Sequence, residues 1–239
     1  MFKIELPNFK KKIPIGNKDD VENIVDSMSP KINDILEKVK TDIENCKFDA
    51  IIGDDVSGRV PALAFHEFLG NEYKNKNVEK PQILFIAGLG ETKDVEKFQL
   101  DIKEHLMKNL KHDPSKEVLL VTDFIGSGRT IQCLLNALEE LNISYKVATL
   151  GFGNVDNHIN EIDLEKYAIG NGGIPNIYAR KDMSGIYKKS GEIISSSMAD
   201  RVSKKDRLDL REIIKRTRSQ VKELAKNMQE NFDRLKENK

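Results

Sequence analysis

Val118-Leu-Leu-Val-Thr-Asp-Phe-Ile-Gly-Ser-Gly-Arg-Thr130 decides the reading of this chain. The apolar run from Glu117 to Thr122 is short and rich in branched residues, which marks a buried strand. Asp123 closes it. Gly126, Ser127 and Gly128 form a tight loop, and a helical pattern runs from about Thr130 to Leu141. In a parallel sheet such a loop lies at the carboxyl end of its strand, where open α/β sheets bind ligands. Glycines let backbone approach an anion, N–H groups at the helix start point at it, and the helix dipole favours its charge. Ser127 and Thr130 add hydroxyl donors. The loop suits one phosphate group. It is neither a Walker loop nor the Gly-x-Gly-x-x-Gly dinucleotide loop, because the acid directly precedes the glycines.

Outward from this stretch, strands and helices alternate. Phe48–Gly53, Gln82–Ala87 and Tyr145–Gly151 read as further buried strands. Helical spacing occupies Val60–Leu69, stopped by Gly70, and Asp94–Lys111, stopped by Asp113-Pro114. Upstream, one helix spans Asp19–Met28 and a second starts at Pro30 and reaches about Asn45. The alternation predicts an α/β fold, a mostly parallel sheet with helices on both faces. Residues 152–200 are less regular, with short strands expected near Lys166–Ile169 and Asn176–Ala179. The expected organisation is an arm and helices over 1–47, the α/β domain over 48–200, and a basic helix over 201–239.

The 239 residues carry 39 Lys+Arg and 39 Asp+Glu, so a generally basic nucleic-acid coat is excluded. The absence of Trp argues against a broad base-stacking surface. The neutral total hides an uneven split. Residues 200–239 hold 13 basic and 8 acidic residues, leaving the body net acidic. Leu210, Ile214, Thr217, Val221, Leu224, Met228, Asn231 and Leu235 form a heptad seam on that tail. It could pack on its own domain, join two copies as a homodimer, or carry the basic residues to nucleic acid. Cys46 and Cys133 read as reduced thiols. Neither a signal-peptide pattern nor an apolar run of membrane-spanning length is visible, so no membrane association and a cytoplasmic location are expected.

The segment VTDFIGSGRT resembles the signature of type I phosphoribosyltransferases. There an apolar strand ends in two acidic residues, followed by a short spacer and Thr/Ser-Gly-x-Thr. Ser127-Gly128-Arg129-Thr130 is the matching tetrad. The resemblance implies that 5-phosphoribosyl diphosphate (PRPP) sets its 5′-phosphate on Ile125, Gly126, Ser127, Gly128, Arg129 and Thr130. Its ribose hydroxyls would meet Thr122 and Asp123. A second strand–loop–helix segment, Ala50–Ala64, supports this. Ser57-Gly58-Arg59 fits the diphosphate loop, with Gly58 allowing close approach and Arg59 pairing with oxygens. Asp54 and Asp55 would hold Mg2+ through water, or serve as polar loop and helix-start residues.

The implied activity is transfer of phosphoribose to a nitrogen acceptor such as a nucleobase, releasing diphosphate, with Asp123 and Arg59 as catalytic residues. The resemblance covers about residues 48–152. Residues 152–200 would form the small hood over the acceptor, where Tyr178 or Tyr187 could stack. Three departures stand out. Thr122 replaces the first acid. Gly126 stands where 6-oxopurine enzymes carry Asp. The spacer Gly88–Asp113 reads as helix where the family has a mobile hairpin; Lys93, Lys97 and Lys103 lie on it. They motivate an alternative: a non-catalytic PRPP sensor or effector acting through its C-terminal helix. A different phosphate-binding α/β enzyme is a third reading.

Overall fold

Interior strands need both faces covered, and the apolar runs supply side chains to both. The computed structural model describes residues 24–54, 58–86, 94–126, 128–151, 164–170 and 206–237, with the last helix's side chains from Arg218 onward. Among these, β1 (Phe48–Asp54), β2 (Gln82–Ile86), β3 (Glu117–Thr122), β4 (Tyr145–Thr149) and β5 (Tyr167–Ile169) form one sheet in the order β2-β1-β3-β4-β5. Every pairing is parallel. The register sets Ile51 beside Leu119 and Gly53 beside Val121.

Side chains alternate between faces along each strand. Ile51, Leu119, Val121 and Ala148 join one core with α1 (Ile24–Glu44), α2 (Arg59–Lys74) and α5 (Asp206–Glu237). Ala50, Ile52, Val118, Leu120 and Val147 join the other with α3 (Val95–Asn109) and α4 (Arg129–Glu140). The sheet is thus covered on both faces, as expected.

Two helix boundaries differ from the sequence reading. Pro30 was expected to begin a new helix, yet α1 runs through it. An interior proline costs about 3 kcal/mol. Met28, Ile32, Ile35, Leu36 and Val39 are all fully buried on one stripe, each stabilising by about 1.5–3 kcal/mol, and their sum outweighs the proline. Gly70 was expected to stop α2, but the helix continues to Lys74. A Cβ at Gly70 would lie 2.7 Å from the Lys80 side chain, so this glycine makes room rather than a cap. The extra turn carries Tyr73, buried, whose hydroxyl accepts the Phe48 N–H at 3.1 Å and ties α2 to the start of β1.

The tail packs on its own domain through its described side chains. Val221, Leu224 and Met228 of the seam are buried, joined by Ala225 and Phe232. A helix lying on two neighbours uses a wider stripe than a coiled-coil seam, which is why these two enter. The Phe232 ring meets Phe68 of α2 edge-on at 5.4 Å. Asn231 donates to Asn33 of α1 at 2.8 Å, and Lys236 reaches both oxygens of buried Glu72 at 3.0 Å. Burial alone would lower the Lys236 ammonium, but its bonds to Glu72 and Asp233 raise it. Leu210, Ile214 and Thr217 have side chains outside the described set. No helix among the described residues is long and apolar enough to cross a membrane.

Candidate functional site at the switch point of the sheet

β1 and β3 are neighbours, but the helices that follow them lie on opposite faces: α2 on one, α4 on the other. A divergence of this kind at the carboxyl edge makes the crevice in which such sheets bind ligands. A cavity of about 110 Å³ lies there, its wall including Asp54, Thr122, Phe124, Gly126, Gly128 and Thr130. Its volume suits one phosphate group. Larger concavities, about 570 and 740 Å³, lie at the amino edge.

The β3–α4 loop is held from both ends. The Ile125 side chain is buried in the α3–α4 core, and its N–H donates to the Gly151 carbonyl at 3.1 Å. That amide is therefore used by the fold, while Ile125 itself lines the cavity. Gly128 has φ 76°, the left-handed region that glycine adopts without strain, and precedes α4 with no side-chain cap. Gly126 differs: among the described residues a Cβ there would meet only the Phe124 ring, at 3.7 Å, so their packing does not demand a glycine. Arg129 is exposed on the first turn of α4. The uncapped first turn of α4, with its positive dipole end, adjoins the same wall.

Thr122 is buried and donates its hydroxyl to Asp54 Oδ2 at 3.1 Å, while Asp54 Oδ1 accepts the Gly58 N–H at 3.0 Å. One carboxylate clamps β1, β3 and the start of α2 together. Sequence reasoning missed the clamp because Thr122 and Asp54 are 68 positions apart and nothing in the spacing pairs them. Among the described residues no three His, Cys, Asp or Glu come together to hold a metal. Among the described residues Asp54 is the one carboxylate on the cavity wall, which fits a cation that brings most of its oxygens with it.

Several expected residues stand elsewhere. Asp123 is 0% exposed and is not part of the cavity wall. The alternation that brings Thr122 to the crevice turns the next side chain away. Gly58 serves packing: a Cβ would lie 2.5 Å from the Val121 carbonyl oxygen. Arg59 is 7% exposed, with its guanidinium 4.1 Å from the centre of the Phe85 ring, outside the cavity wall. Of the lysines on the β2–β3 connection, Lys103 pairs with Glu140 at 2.8 Å and Lys97 is exposed. Asp55, Ser57, Lys93 and Ser127 lie outside the described residues, as do Asn176–Ala179, Tyr178, Tyr187 and all of the expected hood except residues 164–170.

Fold and site define a doubly wound α/β protein with a phosphate-sized crevice at its switch point. No family model matches the sequence. Part of it is similar to the replicase large subunit of Tobacco mosaic virus. With strain B935A it is 26% identical over 117 residues, covering 43% of this chain and 7% of that protein. With strain OM it is 22% identical over 147 residues, covering 56% and 9%. The chain spans less than a tenth of the length of the curated relatives it matches.

Proposed function

We propose that this protein binds PRPP at the β1/β3 crevice and transfers its phosphoribosyl group to a nitrogen acceptor, releasing diphosphate. The observation that carries the reading is the adjacency of two strand–loop–helix segments. The loop after β3 bears the phosphoribosyltransferase-like sequence, and β3 pairs with β1, whose last residue Asp54 lies at the same edge. The 5′-phosphate is assigned to Gly126, Gly128 and the first turn of α4. The ribose end is assigned to Thr122 and Asp54, which line the cavity, with Asp123 behind them. The rest of PRPP would lie along the crevice beyond the 110 Å³ cavity.

As the bond from the anomeric carbon to diphosphate oxygen breaks, a bond to the acceptor nitrogen forms and the nitrogen releases its proton. Positive charge develops on the ribose ring and negative charge on the leaving group. The positive dipole end of α2 lies on the diphosphate side and opposes the latter. Magnesium, bound to the diphosphate, would neutralise leaving-group charge, with Asp54 the described carboxylate nearest in role.

One observation favours the non-catalytic sensor as a second reading: Arg59, the expected diphosphate partner, is buried against Phe85. Titration of the protein with PRPP, with and without magnesium, tests binding. Magnesium-dependent heat is the expected result, and no heat at millimolar PRPP would refute both readings. Diphosphate release across a panel of nucleobases separates them, because an enzyme releases it with an acceptor and a sensor does not.

A further inference from the structure

The crevice sets two opposed electrostatic features on one small wall. Arg129 and the uncapped first turn of α4 favour an anion there. Asp54 lies on the same wall, in the same cavity of about 110 Å³, and opposes one.

The Asp54 carboxylate is held in place. Its Oδ1 accepts the Gly58 N–H at 3.0 Å, and its Oδ2 accepts the Thr122 hydroxyl at 3.1 Å. One donor precedes α2 and the other ends β3, so the group is fixed by both of the chain segments that meet at the crevice. Thr122 is buried and acts by holding Asp54. Asp54 itself stays partly exposed on the cavity wall, where a bound molecule reaches it.

A fixed carboxylate beside an anion cavity weakens the binding of any plain phosphate by repulsion. It favours a phosphate whose neighbouring atoms carry hydroxyl groups, because a carboxylate accepts O–H donors strongly. A site arranged around a substrate hydroxyl also rejects the analogue that lacks it, since the acceptor is then desolvated without a donor in return. The carboxylate therefore acts on choice between ligands, by attraction toward one class and repulsion of the other.

We infer that Asp54 is a specificity-determining residue: it makes the crevice select hydroxyl-bearing sugar phosphates over phosphate monoesters without hydroxyls, by accepting a sugar O–H directly. The inference rests on the reading that the crevice takes a phosphoribosyl group, and goes beyond it in naming what the site refuses. A magnesium ion on the diphosphate is not part of this contact.

The test is an NMR titration of the full chain in EDTA with two monoesters of equal charge, ribose 5-phosphate and ethyl phosphate, following the amides of Gly126 and Gly128. The wild type should bind ribose 5-phosphate at least about tenfold more tightly. Asp54→Asn should bring the ratio to within about threefold, by weakening ribose 5-phosphate and by tightening ethyl phosphate through lost repulsion. Asn offers one acceptor oxygen to two donors, so the variant is titrated below the onset of its own thermal unfolding. The wild-type ratio reads the same preference without any variant. A wild type that binds PRPP with magnesium yet holds the two monoesters equally, or an Asp54→Asn variant that keeps the wild-type ratio, would overturn this inference alone. No shift from ribose 5-phosphate at millimolar concentration would also overturn it, and the PRPP titration then decides whether the reading beneath it falls too.

Discussion

The two loops of the crevice look alike in sequence and differ in what their residues are for. In the β1–α2 loop, Gly58 presses against the Val121 carbonyl and Arg59 lies on Phe85, so both serve packing. In the β3–α4 loop, a Cβ at Gly126 would make only an ordinary contact with the Phe124 ring among the described residues, and Gly128 holds a left-handed turn before an uncapped helix. A glycine used by the fold and a glycine that leaves room for a ligand cannot be told apart in sequence. The contact a Cβ would make distinguishes them.

Substitutions sharpen that contrast. Gly58→Ala should cost about 3 kcal/mol, because backbone cannot yield to a 2.5 Å approach as a flexible side chain can. Urea unfolding measures it, and wild-type stability would remove Gly58 from its packing role. Gly128→Ala should cost about 1–2 kcal/mol, the strain of a Cβ at positive φ. Thr122→Val keeps the shape and deletes the hydroxyl bond to Asp54, costing about 1 kcal/mol in the same assay. Gly126→Ala should leave the unfolding midpoint within error of wild type. A large loss there would mean that this glycine too belongs to the fold.

A separate effect concerns pH and the helix that follows the first loop. Burial first, and Lys80 second, lower His66 on α2 to about 4. The unfolded chain then binds this proton before the folded one does. Stability is retained above about pH 6.5 and declines as pH falls toward 4. His66→Gln should flatten the urea midpoint across that window, and an unchanged slope would contradict the assignment.

The sheet was legible because its strands are short apolar runs between glycine and polar breaks, and their order along the chain already implied parallel pairing. β5 was located near Lys166 by the same signal. Pro30 and Gly70 misled because local propensity is weaker than a continuous buried stripe. At the site, the loop after β3 was legible from Gly126, Gly128 and Thr130. The burial of Asp123, the stacking of Arg59 on Phe85, and the Asp54–Thr122 clamp were not. Each depends on a partner from a distant strand, and spacing along the chain carries no trace of it.

The most direct test is a paired calorimetric titration of wild type and Gly126→Val with PRPP and magnesium, with thermal unfolding of both as a control. The account predicts binding by the wild type and at least tenfold weaker binding by the variant at matched stability. Equal affinity of the two proteins, or no binding by the wild type at millimolar PRPP, would contradict it.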